Sequence, residues 1–421
     1  MRLTDYEKAM LNGEYGEVCQ QAIQTLYDLS LFYDVEEFVE IVGCHDDSTV
    51  YAGEAQVAFV EMLADKGAKF AVPTTTNSVA CDLKYWHRQK FDIERMSASK
   101  RIEASHVRMG AIPTWSCAPY HVGITPSFGQ QFAAAESNVI CYYNSVIGAR
   151  TNRYAGPLEL LCGITGRAPY YGLHVTENRY AQGLVKLGND IKHEYFTDEN
   201  IFNLVSYAFG SIVKDRIWAL DGMPKRGITN EILKQFSATA CSSGGIALFH
   251  IIGVTPEAQT IEHAFGGKKP EELIEIHLSD LLNAENQLTN PDITDLDAVL
   301  LGCPHASYNE CIMIRDFFRG RKVSSNLKCW VITPRSIIER LKDSLVYDEL
   351  IRLGIEVYSD GCILECRDKE LGFKSMMSNS GKFCTYCFSM HGVQPAFGSM
   401  KDCVESAIAG EVVKEAKPWR K

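Results

Sequence analysis

Between residues 297 and 359 the chain alternates short apolar runs with amphipathic stretches, and this alternation constrains the fold more than any other feature. Asp297–Gly302, Cys329–Thr333 and Ile355–Ser359 have the length and composition of buried strands. Helix-like patterns follow each of them: Ser307–Phe318, Pro334–Ser344, and a weaker one after Cys362. Repeated strand-then-helix units predict a parallel sheet with covering helices, an α/β fold.

The rest of the chain fits the same class with an N-terminal helical lead-in. Thr4–Leu11 and Tyr15–Tyr33 carry helical periodicity, the second with a stripe of Val18, Ile23, Leu26, Leu29 and Leu31. Val39–Cys44 and Ala68–Pro73 are expected as strands, Glu54–Lys66 as a helix, Gln130–Ile147 as one long buried helix, and Lys401–Gly410 as the last helix. Gly222–Gly227 and Gly266–Pro270 are the softest internal boundaries, dividing two α/β lobes near residues 222–270 without forming a true linker.

A formal net charge of −11 argues against a nucleic-acid-binding face, because neutralising phosphates needs clustered Lys and Arg. No apolar run reaches the ~18–20 residues that cross a bilayer, and the opening Met-Arg-Leu-Thr-Asp-Tyr-Glu-Lys has no signal-peptide core. The expected location is the cytoplasm, with no membrane partner. In that compartment the 15 cysteines are expected as reduced thiols, most of them small buried apolar residues.

Position singles out three of them. Cys303 closes the apolar run Leu296–Gly302, Cys362 follows Ile355–Gly361 in the same way, and Cys117 lies in the proline-bounded loop Pro113–Tyr120. Ligands gather outside the carboxyl ends of strands in α/β sheets, so these thiols are candidate ligands of a shared metal or cluster. A rival set, Cys362-x3-Cys366 with Cys384-x2-Cys387, has the outline of a four-thiolate zinc site, which would make the chain a non-catalytic zinc-binding protein. The spacing of Cys384 and Cys387 equally suits one face of a helix.

Two polar stretches are the other candidates. Glu136-Ser137-Asn138 opens a segment that ends in Arg150-Thr-Asn-Arg153, whose arginines suit a carboxylate or phosphate. Ser378–Phe383 is an anion-ready turn carrying Lys382, without a P-loop pattern. His305 and His121 stand close enough in sequence to Cys303 and Cys117 to act as hydrogen-bond partners or ligands.

Together these motifs resemble the large subunit of the aconitase X family. The resemblance rests on Ser116–Tyr120, Ala135–Asn138, Asn144–Arg153, Ile164–Pro169 with Tyr171–His174, Gly244–His250 with Gly253–Glu257, Gly302–His305 and Ser380–Phe383, in order over nearly the whole chain. Its most specific block is Asn-Ser-Val-Ile-Gly-Ala-Arg-Thr-Asn-Arg.

The resemblance implies an aconitase-like three-layer α/β/α body with mainly parallel sheets. It also implies an iron-sulfur cluster, of 2Fe-2S, 3Fe-4S or 4Fe-4S type, on Cys117, Cys303 and Cys362. Such a centre acts as a Lewis acid in eliminating water from a small hydroxy acid, a hydro-lyase reaction. Substrate-binding positions implied are Ser48, Thr49, Val50 and Asn77, with Arg150 and Lys382 as candidate cations. Residues 48–50 depart from the family's Gly-rich form. Family members dehydrate cis-3-hydroxy-L-proline or mevalonate 5-phosphate, and the lack of phosphate-clamping cations at residues 48–54 and 72–82 favours the first. The base is expected on a small partner subunit, a swivelling domain for which this chain has no segment. Glu136 and Ser137 are the candidate catalytic groups within it.

Overall fold

The computed structural model describes residues 1–123, 125–365 and 372–420. Three parallel sheets follow one another along the chain. The first lobe contains β1 (Phe38–Glu40), β2 (Cys44–Asp46), β3 (Thr74–Thr76), β4 (Ala133–Ala134) and β5 (Arg167–Pro169). Here β2 is central in the order β3-β2-β4, with Cys44 opposite Thr74 and Ala133, while β1 and β5 form a separate antiparallel pair. The second lobe adds β6 (Gly183–Leu187), β7 (Trp218–Asp221), β8 (His250–Ile251) and β9 (Glu272–Ile276), in the order β8-β7-β6-β9. The third adds β10 (Ala298–Leu301), β11 (Lys328–Thr333), β12 (Glu356–Ser359), β13 (Met376–Ser378) and β14 (Ala396–Phe397), in the order β12-β11-β10-β13-β14.

The third lobe forms as its pattern dictates. The strand β10 is buried along its whole length and pairs in parallel with β11 and β13. Ser307 then starts the helix Tyr308–Phe318 with a capping box: its hydroxyl accepts from the Glu310 N–H at 3.1 Å, and the Glu310 carboxylate accepts from the Ser307 N–H at 2.7 Å. The helix Arg335–Asp343 turns Ile337, Ile338 and Leu341 inward, each worth about 1.5–3 kcal/mol of burial. Its charged residues face outward.

Three expectations fail in the first lobe. Gln130–Ile147 is not one helix: Ala133 and Ala134 pair with β2, Glu136 turns the chain at φ +64°, and only Ser137–Tyr142 is α-helical before a π-helical turn at Tyr143–Ile147. A short apolar run such as Phe132–Ala135 suits a buried strand as well as a helix, and pairing with β2 decides between them. Val39–Cys44 likewise divides between β1 and β2. Gly43 lies at the break, where a Cβ would stand 2.6 Å from the Phe132 ring. The strand expected at Ala68–Pro73 begins at Thr74 instead.

The helix Asn230–Gly244 is the spine, packed against the helices Glu199–Val213, Ser137–Tyr142 and Gly381–His391. Gly244 meets the Gly210 backbone, where a Cβ would lie 2.1 Å from the Gly210 carbonyl oxygen, so only glycine permits this crossing. Among the described residues no helix is long and apolar enough to cross a membrane.

Candidate active site

Six parallel strands deliver side chains to one cavity of about 1040 Å³. Asp47 and Ser48 follow β2, Asn77 and Ser78 follow β3, and Glu136 and Ser137 follow β4. Cys303 follows β10, Cys362 follows β12, and Lys382, in the first turn of the helix after β13, completes the set. Cys117 enters from the loop before Pro119. Clustering at carboxyl ends of strands from two different sheets explains why residues hundreds of positions apart share a wall.

The three thiol-bearing segments are tied to one another through His305. Its backbone N–H donates to Cys117 Sγ at 3.2 Å, and its Nε2 lies 2.9 Å from the carbonyl oxygen of Gly361, next to Cys362. Burial pushes the imidazole down to about 4, so it is neutral at physiological pH and Nε2–H is the donor. Behind this turn the fully buried Lys234 donates to the His305 carbonyl at 3.0 Å and pairs with Glu310. Cys362 is fixed by its N–H to the Val79 carbonyl at 2.8 Å, and Cys117 by the Asn138 amide, which donates to its carbonyl at 2.9 Å.

Burial pushes all three thiols up, Cys362 to about 12. Cys303 adds to the upward push on both others, so it stands within electrostatic reach of each. Thiols held protonated in this way ionise when a metal displaces the proton. Among the described residues no three His, Cys, Asp or Glu converge as a single ion requires, which for zinc is thiolate sulfur about 2.3 Å from the metal. Three thiols on one cavity wall are of the donor type that iron-sulfur clusters take.

Across the cavity the wall is charged. Lys382 pairs directly with Glu136 and lies 3.5 Å from Ser137 Oγ. Burial works against the Lys382 ammonium, but the adjacent Glu136 carboxylate outweighs it and holds the pKa well above the usual lysine value. The other Glu136 oxygen accepts from the Val139 N–H at 2.9 Å.

Models of the first, second and third domains of aconitase X match residues 1–177, 182–286 and 296–409. The chain belongs to the aconitase X family. It is 30% identical over 420 residues to a cis-3-hydroxy-L-proline dehydratase of Pseudomonas aeruginosa, covering 99% of this chain and 72% of that protein. It is also 30% identical to the phosphomevalonate dehydratase large subunit of Methanocaldococcus jannaschii, covering 96% of this chain and 100% of that one. The crystal structure of Thermococcus kodakaraensis aconitase X in its holo-form superposes with a TM-score of 0.86 at 27% identity, over 97% of this chain and 100% of that chain. The α/β fold with mainly parallel sheets is that of aconitase X, and the chain is an enzyme of a dehydratase family.

Within this aconitase X chain the expected residues divide. Ser48, Val50, Asn77, Cys117, Glu136, Ser137, Cys303, Cys362 and Lys382 line the cavity. Thr49 does not: it is buried beneath the wall, its hydroxyl donating to the Ser78 carbonyl at 2.8 Å. Arg150 does not either: its backbone pairs with Gln130 and Phe132 just before β4, and its Nη1 lies 3.5 Å from the Gly129 carbonyl. Arg153, three residues on, takes the cavity position and donates to the Gly245 carbonyl at 2.9 Å. Of the rival zinc set, Cys384 and Cys387 are core residues of the helix Gly381–His391, and Cys366 lies outside the described residues.

Sequence reasoning passed over Asp47, Gln56, Tyr154, Glu365 and Tyr386, all on the cavity wall. Only Asp47 carried a signal, as the second of two acids at a strand end beside Ser48.

Proposed function

We propose that this chain is the large component of a hydro-lyase that eliminates water from cis-3-hydroxy-L-proline. The observation that carries the substrate is the charge on the cavity wall: Asp47, Glu136 and Glu365 against Arg153 and Lys382, with Lys382 already neutralised by Glu136. A guanidinium bonded to a backbone carbonyl and to no acid among the described residues suits a single carboxylate. A phosphate together with a carboxylate calls for more cations than this wall supplies, whereas a carboxylate together with an ammonium matches it.

Cys117, Cys303 and Cys362 would hold an iron-sulfur cluster, whose chemistry when bound is Lewis-acid polarisation of a substrate oxygen. The chain's own part is to bind and orient. Arg153 takes the substrate carboxylate, Ser48 and Gln56 supply hydrogen bonds, and Tyr154 and Tyr386 enclose the ring. Glu136 is bonded through both carboxylate oxygens, and Ser137 Oγ faces a lysine held protonated. Neither is free to take a proton, so the base belongs to a swivelling domain, supplied as a small aconitase X subunit. Full coverage of relatives named as large subunits, against 72% of the Pseudomonas protein, supports a partner of this kind.

A second reading, mevalonate 5-phosphate, is favoured by those same full-length relatives. Dehydration assays of the purified complex on both compounds decide between them. Turnover of cis-3-hydroxy-L-proline alone is expected, and turnover of the phosphate ester alone reverses the assignment.

A further inference from the structure

We propose that Asp47 is the specificity-determining residue of this site, its carboxylate pairing with the ammonium nitrogen of an amine-bearing hydroxy acid. This rests on the substrate reading above and adds which side chain enforces it.

The loop that carries Asp47 is built rigidly from below. The Asp47 N–H donates to Oε1 of the fully buried Glu159 at 3.1 Å. Asp46, also buried, accepts from the Ser48 N–H at 2.8 Å and pairs with His106 at 2.8 Å. At the wall itself the Asn77 amide donates to one Asp47 oxygen and fixes the plane of the carboxylate. The charged groups around it are the acids Asp46, Glu136 and Glu159 and the cation Lys382, whose ammonium is committed to Glu136.

Among the described residues no Lys, Arg or His stands within ion-pair distance of Asp47. A desolvated carboxylate ringed by other acids and facing an open cavity lacks one positive charge, and a substrate ammonium provides it. Burial, with Glu136 adding to it, pushes Asp47 up to about 7, as expected of an acid whose cation arrives from outside. Carbocyclic or phosphorylated hydroxy acids bring no such cation.

The experiment compares cis-3-hydroxy-L-proline with its carbocyclic counterpart, cis-2-hydroxycyclopentane-1-carboxylate, on the assembled enzyme carrying wild-type, Asp47→Asn or Asp47→Ser chains. The wild type should prefer the amine, and Asp47→Asn should reduce that preference in kcat/KM roughly 10- to 100-fold, mainly through KM. The wild-type KM for the amine should also fall as pH rises through about 7, because only the ionised carboxylate pairs with ammonium, and the Asn variant should lose that dependence. An Asn variant that keeps the preference and the pH profile overturns the assignment, as does failure of both variants to fold, which would make Asp47 structural. A wild-type enzyme inactive on the amine but active on mevalonate 5-phosphate defeats the substrate reading itself, a result distinct from failure of Asp47 alone.

Discussion

The backbone N–H of His305 donates to Cys117 Sγ at 3.2 Å, across 188 positions of sequence, while the same residue's imidazole reaches Gly361 beside Cys362. Two candidate ligand segments are thus aligned by a residue that itself lies two positions from the third. Replacing His305 by Ala removes the Gly361 bond and frees the Cys362 turn without touching a thiol. Iron affinity should fall roughly 10- to 100-fold, the usual cost of losing a group that orients ligands. Iron per chain after reconstitution across a chelator series measures it.

Lys234 and Glu310 form an ion pair beneath that turn, both almost wholly inaccessible to solvent. Lys234→Met leaves a buried carboxylate without its partner and should destabilise the fold by about 3–5 kcal/mol. Replacing both, Lys234→Met with Glu310→Gln, should recover much of the loss. Denaturant unfolding of the single and double variants checks this, and equal losses in the two would show that the pair itself is not the cause.

Glu199 gives a pH dependence of known sign. Burial pushes it up to about 7, against which the Met400 N–H bond at 2.5 Å acts, while Glu310, Asp198 and Asp402 push it further up. Its folded pKa lies above the ordinary ~4.3, so its contribution to stability is full below that value and is lost as pH rises through about 7. Glu199→Gln keeps an oxygen for Met400 and cannot ionise. The Tm of this variant relative to wild type should therefore increase between pH 5 and pH 8, and a pH-independent difference would contradict the assignment.

Lys382→Met should abolish most turnover, because it leaves Glu136 unpaired on the substrate wall. Loss of a charge-assisted contact of this kind costs roughly 10²-fold or more in kcat/KM. Arg150→Ala, outside the cavity, should change kcat/KM far less than Arg153→Ala, and steady-state kinetics on the three variants ranks them.

The third lobe was legible in the sequence because its strands are buried on both faces and each helix is amphipathic, so local pattern and tertiary environment agree. The first lobe was less so. Its strands are two or three residues long, too short for periodicity to register, and β4 was hidden inside a run that also suits a helix. Strand ends pointed to Cys303 and Cys362 and a proline-bounded loop to Cys117, whereas Arg150 and Arg153 could not be told apart, because what separates them is non-local: the Arg150 backbone pairs with Gln130 and Phe132, and the Arg153 guanidinium reaches the Gly245 carbonyl. Asp47 and Glu159, held together by one hydrogen bond, are 112 positions apart, and nothing local announces the pairing.

The proposed function requires Cys117, Cys303 and Cys362, from distant stretches of the chain, to hold one iron-sulfur centre. Anaerobic reconstitution of the complex with iron and sulfide, followed by iron analysis and visible absorption, tests it most directly. The wild type should turn brown and bind iron, Cys117→Ser, Cys303→Ser and Cys362→Ser should each lose both properties, and Cys384→Ser should keep them. A colourless wild type, or bleaching by Cys384→Ser while Cys303→Ser stays brown, would show that these three thiols hold no such centre.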